Sequence, residues 1–97
     1  MSFTKKKIIN AIENYLKGAV YSDYYVGITA NIGARLFGDH GISTDHDIWI
    51  YREAITVSDA REIEKYFLDR GIDGGPGGGD ENSKKVYVYK KTSMSNP

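Results

Sequence analysis

The stretch YYVGITANIGARLFGDH, residues 24–40, contains both of the periodicities on which the fold depends. Its first half alternates between two sets of side chains, and this period of two predicts a β-strand over residues 24–28. One set is Tyr24, Val26 and Ile28, and the other is Tyr25 and Gly27. Its second half has apolar residues four apart, which predicts a short helix over residues 32–37. A strand is therefore expected to run directly into a helix here.

Side chains suited to phosphate chemistry follow one another along this stretch. Tyr25 lies in the predicted strand, Arg35 lies in the predicted helix, and His40 comes shortly after the helix. Thr29 or Asn31 would cap the helix by accepting hydrogen bonds from its first free N–H groups. Because the turn between strand and helix is short, Arg35 is expected to stay near Tyr25. A tyrosine hydroxyl, a guanidinium and an imidazole suit binding and proton transfer at a phosphate group.

Outside this stretch, apolar periodicity predicts two further helices and two further strands. They are a helix over residues 4–17, a strand over residues 47–54, a helix over residues 59–70 and a strand over residues 84–91. Ser2 or Thr4 would cap the first of these helices, and Ser58 would cap the second. The glycine-rich run at residues 74–79 has two interpretations: a flexible crossing to the last strand, or a loop that a nucleic-acid backbone approaches closely.

The three predicted strands sort their side chains into an aliphatic face and an aromatic face. The aliphatic face would carry Val26, Ile28, Ile48, Ile50, Val86 and Val88. The aromatic face would carry Tyr25, Gly27, Trp49, Tyr51, Tyr87 and Tyr89. Helices are expected to cover the aliphatic face. The aromatic face has two interpretations, a second layer of core or a platform for bases and sugar-phosphate.

One carboxylate in the predicted helix over residues 59–70 has an unusual position. At about 100° per residue, Glu64 falls inside an apolar stripe, whereas Glu62 points nearly the opposite way. The stripe consists of Ala60, Ile63, Phe67 and Leu68. A carboxylate there costs free energy unless a cation or hydrogen bonds compensate it, or unless its head reaches water at the stripe's edge. The helix pattern alone favours the edge position, and the expected neighbourhood of Arg35 and Tyr25 favours a functional site.

Several of these segments resemble the GIY-YIG nuclease family. The sequence YVG at residues 25–27 is similar to the second half of the motif that names the family. The sequence ITANIGARL at residues 28–36 resembles the following run, and Arg35 falls where the family has its helical arginine. The sequence DAREIEKYF at residues 59–67 resembles the segment that holds the family's metal-binding glutamate, and Glu64 is the matching residue.

The resemblance covers about residues 24–70 and departs from the family at three points. The family's first strand, which carries its own tyrosine, has no counterpart just upstream of Tyr25. The C-terminal strand would take its place and supply Tyr87 or Tyr89, which would make the chain a circular permutation of the nuclease core. His40 lies one residue further along than is usual, and the family's terminal asparagine has no clear match.

The resemblance implies a metal-dependent endonuclease that hydrolyses phosphodiester bonds, with DNA as the expected substrate. Glu64 would hold Mg²⁺ or another divalent cation. Tyr25, or its partner tyrosine from the last strand, would position or deprotonate the water. Arg35 would stabilise the charge on the phosphate, and His40 would assist proton transfer. The alternative is a catalytically inactive GIY-YIG-like module that binds nucleic acid or a protein partner.

Length and composition indicate an ordinary globular chain. Its 97 residues predict one α/β (α+β) domain over residues 1–91, with three mostly antiparallel strands and three helices, and a flexible tail at residues 92–97. Thirteen basic residues balance thirteen acidic ones, so nucleic-acid binding would need a local patch. The chain has no cysteine, which excludes disulfides and favours a cytoplasmic location. No apolar run is long enough for a membrane span or a signal peptide.

Overall fold

The computed structural model describes residues 2–33, 49–74 and 82–91. Its elements are β1 (Ser2–Phe3), α1 (Lys5–Tyr15), β2 (Tyr24–Thr29), β3 (Trp49–Ala54), α2 (Val57–Leu68) and β4 (Lys85–Lys90), with one 3₁₀ turn at Tyr21–Asp23. The predicted α+β class is confirmed. The predicted count of three strands is wrong, because β1 adds a fourth. Most of the predicted helix over residues 32–37, together with the predicted tail, lies outside the described residues.

Local capping sets where the two helices begin. Thr4 caps α1 as predicted, since its side chain accepts a hydrogen bond from the Lys7 N–H. The prediction that Ser58 caps the later helix is wrong. Thr56 caps α2 instead, because its backbone is extended and its hydroxyl accepts from the Asp59 N–H at 3.0 Å. Ser58 therefore lies inside the first turn of α2.

The sheet is mixed and has the order β1-β3-β4-β2. β4 lies at the centre and pairs antiparallel with both β2 and β3. The prediction that the two tyrosines of the last strand share a sheet with Tyr25 is confirmed, since Tyr25 lies opposite Tyr89 and Gly27 lies opposite Tyr87. β1 pairs with β3 and is parallel to it. In the described residues β2 and β3 are joined only through β4.

Both α-helices pack on the aliphatic face of the sheet, as predicted. The core there combines strand and helix residues, namely Val26, Ile28, Val86, Val88, Ile8, Ile12, Ala60, Ile63 and Phe67, all buried. Ile50 is half-buried against this core, and Ile48 lies outside the described residues. Burying this apolar surface is what holds the helices to the sheet.

Polar contacts between the helices fix which flank of α2 faces α1. Lys5 pairs with Glu62 at 3.1 Å, and the Tyr66 hydroxyl donates to the Glu13 carboxylate at 2.6 Å. The flank of α2 that carries Glu64 and Leu68 therefore faces away from α1. It lies toward the outer edge of β2, where the chain following α2 pairs with that strand through backbone hydrogen bonds.

Candidate functional site

Three tyrosines on the aromatic face form one buried cluster. The rings of Tyr25 and Tyr89 stack with centroids 5.3 Å apart, and those of Tyr87 and Tyr89 lie 6.4 Å apart and nearly parallel. Their exposed fractions are 6%, 0% and 1% for Tyr25, Tyr89 and Tyr87. Ile32 and Trp49 pack against them. This tyrosine cluster is a second layer of core, which was one of the two interpretations of the aromatic face.

The cluster depends on a glycine in the neighbouring strand. Gly27 lies directly opposite Tyr87, and the Tyr87 ring crosses the space above it. A Cβ atom added at Gly27 would overlap the Tyr87 hydroxyl and lie 2.5 Å from the ring atom Cζ. Gly27 does not have a positive φ, so it is needed for space rather than for backbone freedom. An aromatic ring that covers a cross-strand glycine is a known way to pin the register of a sheet.

Glu64, the predicted metal ligand, belongs to the helix layer on the other side of the sheet. It is half-buried, and burial raises the pKa of its carboxyl while the nearby Arg61 opposes that effect. Its neighbours Ala60, Ile63 and Phe67 all pack into the aliphatic core. The structure thus brings the three predicted tyrosines together but puts the helix that carries Glu64 on the opposite face.

The remaining predicted site residues, Arg35 and His40, lie outside the described residues. The predicted proximity of Arg35 to Tyr25 therefore stays a prediction. Among the residues that the structure does describe, no group of three histidine, cysteine, aspartate or glutamate side chains is placed to hold a metal ion.

A row of polar residues that the sequence interpretation did not include lies next to the tyrosine cluster. Glu53, Lys85 and Thr29 are direct cross-strand neighbours on adjacent strands, so their side chains share one face. Glu53 and Lys85 each lie two residues from a tyrosine of the aromatic face, Tyr51 and Tyr87, and strand alternation therefore puts them on that face. This spacing could have identified them from the sequence. The Lys85 ammonium donates to the Ala30 carbonyl at 3.2 Å. This row supplies a carboxylate, an ammonium and a hydroxyl at the end of the aromatic face.

The most exposed aromatic side chain of the sheet lies on β3. Tyr51 is 39% exposed and stacks against Trp49, with ring centroids 6.1 Å apart. The Arg52 guanidinium donates a 2.7 Å hydrogen bond to the Tyr51 carbonyl. A cleft of about 330 Å³ lies here and is lined by Phe3, Tyr51, Arg52 and Glu53. The cleft combines aromatic surface with one positive and one negative side chain, a composition typical of protein-binding surfaces.

Comparison with protein-family models, curated proteins and solved structures finds no match for this chain. Within the described residues, neither helix is long and apolar enough to cross a membrane.

Replacing Glu64 by glutamine is expected to stabilise the fold slightly at neutral pH. Because the native pKa is raised, the folded state binds more protons than the unfolded state in the window above the ordinary pKa, so stability falls as pH rises through it. The uncharged glutamine amide does not have this loss in the free energy of unfolding, and solvent screening limits the loss to roughly 0.5 kcal/mol. Thermal melts of wild type and Glu64→Gln at pH 7 and below about pH 4 measure this stabilisation. The difference in melting temperature should vanish at the lower pH, where Glu64 is protonated.

Glu62→Gln is the control for this measurement. Glu62 is exposed and its pair with Lys5 lies at the surface, so its loss should change the melting temperature little at either pH. A Glu64→Gln variant that melts below wild type would contradict the expectation and would make the carboxylate a structural partner.

Proposed function

We propose that this chain is a GIY-YIG-like binding module that binds a protein partner and does not hydrolyse nucleic acid. One observation carries the proposal. The tyrosine cluster and the helix bearing Glu64 lie on opposite faces of the sheet, and the tyrosine rings are buried.

Hydrolysis in this type of site requires its groups to act on one phosphate. A metal ligand, a tyrosine hydroxyl and an arginine would have to converge within hydrogen-bond or coordination distance of the same group. A tyrosine with an exposed fraction of 6% or less is a poor candidate for contact with a substrate phosphate. Tyr25, Tyr87 and Tyr89 are better explained by packing, because a stacked and buried aromatic cluster stabilises the central strands.

The charge distribution favours a protein partner over nucleic acid. The net charge is zero, and three of the nine described lysines have a carboxylate partner. These pairs are Lys5 with Glu62, Lys65 with Asp69, and Lys91 with Asp73. Nucleic-acid binding draws most of its free energy from unpaired cations that displace counterions from phosphates. A net charge of zero and the exposed Tyr51 side chain fit a protein partner better.

A plasmid-nicking assay with Mg²⁺ and with Mn²⁺ tests the absence of hydrolysis. We expect no metal-dependent nicking from the wild-type chain. Glu64→Ala and Glu62→Ala form a matched pair, since they remove carboxylates from different sides of α2. Nicking by wild type that is lost in Glu64→Ala and kept in Glu62→Ala would overturn the proposal and support the endonuclease, with Glu64 as the Mg²⁺ ligand.

Fluorescence anisotropy with labelled single-stranded and duplex DNA tests the choice of partner class. We expect dissociation constants weaker than about 100 μM at physiological salt, the weak end of non-specific binding. Tighter binding that falls steeply with added salt would favour nucleic acid instead.

A further inference from the structure

The outer face of α1 carries a stripe of exposed lysine and asparagine side chains. At about 100° per residue, these side chains fall within about a third of the helix circumference. They are Lys6, Lys7, Asn10, Asn14 and, in the turn just after the helix, Lys17. Within the described residues, no side chain of this lysine–asparagine stripe makes a hydrogen bond or an ion pair. The opposite face of α1 carries Ile8 and Ile12, which are fully buried, so the stripe faces outward.

The carboxylates nearest to the stripe are already engaged along the boundary between α1 and α2. Glu13 is the one acidic residue of α1, and its carboxylate accepts a 2.6 Å hydrogen bond from the Tyr66 hydroxyl. Glu62 of α2 pairs with Lys5, which lies outside the stripe. The stripe therefore presents three positive charges that no described carboxylate pairs with.

The stability of α1 itself does not explain these residue types. Lys6 and Lys7 lie in the first turn, which has no acidic residue, and cations there oppose the helix dipole. Asn10 and Asn14 are exposed within the helix, where asparagine is less favourable than alanine. Of the five residues only Lys17, at the C-terminal end, suits the dipole. Positions that depart from local preference in this way are typical of binding surfaces.

We propose that the lysine–asparagine stripe of α1 binds an acidic segment of a protein partner. The inference rests on the proposed function, because it names the chemistry of the partner that a protein-binding module would hold. Carboxylates of the segment would pair with the three lysines, and the asparagine amides between them would donate to carboxylates or accept from peptide N–H groups. Val20, which is 61% exposed and three residues after Lys17, would supply an apolar contact at the end of the stripe.

The surroundings of the stripe favour an acidic protein segment over nucleic acid. Three cations neutralise about three phosphates, which gives low affinity for a duplex at physiological salt. Glu13 and Glu62 lie along one side of the stripe, where they would repel a broad surface of phosphates. Val20 has no favourable contact with a phosphate backbone. A narrow acidic peptide is attracted by the lysines and has a use for the exposed valine.

Two pairs of substitutions separate the stripe from the charge of the whole chain. The first variant combines Lys7→Gln with Lys17→Gln and removes two charges from the stripe. The matched control combines Lys84→Gln with Lys90→Gln, which removes the same charge from exposed lysines just before β4 and at its end. Because all four side chains are exposed, both variants should fold, and thermal melts establish that they do.

The probe is a capped peptide of six glutamates followed by two leucines, used beside a twin with glutamine in place of every glutamate. Binding is followed by ¹H–¹⁵N NMR titration of the full chain at physiological salt. We expect shift changes along residues 6–17 and at Val20, and none with the glutamine twin. Affinity should fall about tenfold in the first variant and stay within about twofold of wild type in the control. The control effect is small because salt screens distant charges.

A third variant tests the asparagines with a readout that a purely structural role would not give. Asn10→Ala combined with Asn14→Ala should raise the melting temperature by about 5 °C, because alanine is the better helix former. The same variant should bind the acidic peptide about threefold more weakly, since it lacks the two amides. Higher stability together with weaker binding is expected only where the asparagines are kept for a ligand.

Four outcomes would overturn the inference. They are the absence of any shift change at millimolar peptide, equal losses of affinity in the two lysine variants, equal binding of the glutamine twin, and an oligothymidylate that binds the stripe more tightly than the peptide. The result is separate from that of the nicking assay. A chain that nicks DNA and binds the acidic peptide overturns only the proposed function, and a chain that does neither overturns only this inference.

Discussion

Replacing Gly27 by alanine is expected to lower the free energy of unfolding by about 3 kcal/mol, the upper end of the range for overpacking. The added methyl group would overlap the Tyr87 hydroxyl and lie 2.5 Å from Cζ of the same ring. Tyr87 cannot move aside easily, because it is only 1% exposed and is flanked by the Tyr89 ring. Urea denaturation of wild type and variant measures the loss.

Gly18→Ala is the control that separates crowding from backbone strain. Gly18 has a φ of 78° and no atom within 4 Å of an added Cβ, so alanine there meets strain alone, about 1 kcal/mol. A second variant combines Gly27→Ala with Tyr87→Leu, which should recover part of the loss by removing the overlapping ring. A Gly27→Ala loss no larger than that of Gly18→Ala would show that the Tyr87 ring does not cross Gly27.

Truncating Tyr89 to alanine is expected to cost about 3–5 kcal/mol, as for other large buried aromatic residues. Tyr89 is fully buried on the central strand, and its ring contacts both Tyr25 and Tyr87. The loss would take a large share of the stability of a domain this size. Because β4 joins β2 to β3, the damage should reach the whole sheet and appear in one cooperative denaturation transition.

Tyr51→Ala is the control for Tyr89→Ala, since Tyr51 is exposed on the same face of the sheet. It should cost less than about 1 kcal/mol, as is usual for surface substitutions. Tyr89→Phe separates the ring from its hydroxyl. A Tyr89→Ala variant as stable as wild type, or more stable, would indicate a tyrosine held for function rather than for packing, and would favour the nuclease interpretation.

The sequence by itself determined the helices α1 and α2, the strands β2, β3 and β4, and the two faces of the sheet. Alternation of valine with tyrosine in β4, and of Ile50 with its aromatic neighbours in β3, can be recognised from adjacent residues alone. The same holds for α1 and α2, whose apolar stripes recur within a few residues. These predictions succeeded because the physical cause, burial of one face, acts on side chains that are close in the chain.

Only the tertiary structure decided which strands are neighbours and which residues meet. Periodicity carries no information about strand order, so the central position of β4 and the placing of Gly27 opposite Tyr87 could not be predicted. β1 has two residues and therefore no period to detect. Thr56 and Ser58 both suit a helix cap, and the extended backbone at Thr56 made the choice.

The position of Glu64 shows the same limit for the site. Its place on an apolar stripe and the packing of its helix on the aliphatic face were both expected from the sequence, but neither expectation says where Glu64 lies relative to the tyrosines. α2 packs on the aliphatic face because Ala60, Ile63 and Phe67 bury their surface against valine and isoleucine there, while the stacked tyrosines fill the other face with aromatic core. Long-range packing therefore put the helix that carries Glu64 and the tyrosine cluster on opposite faces of the sheet.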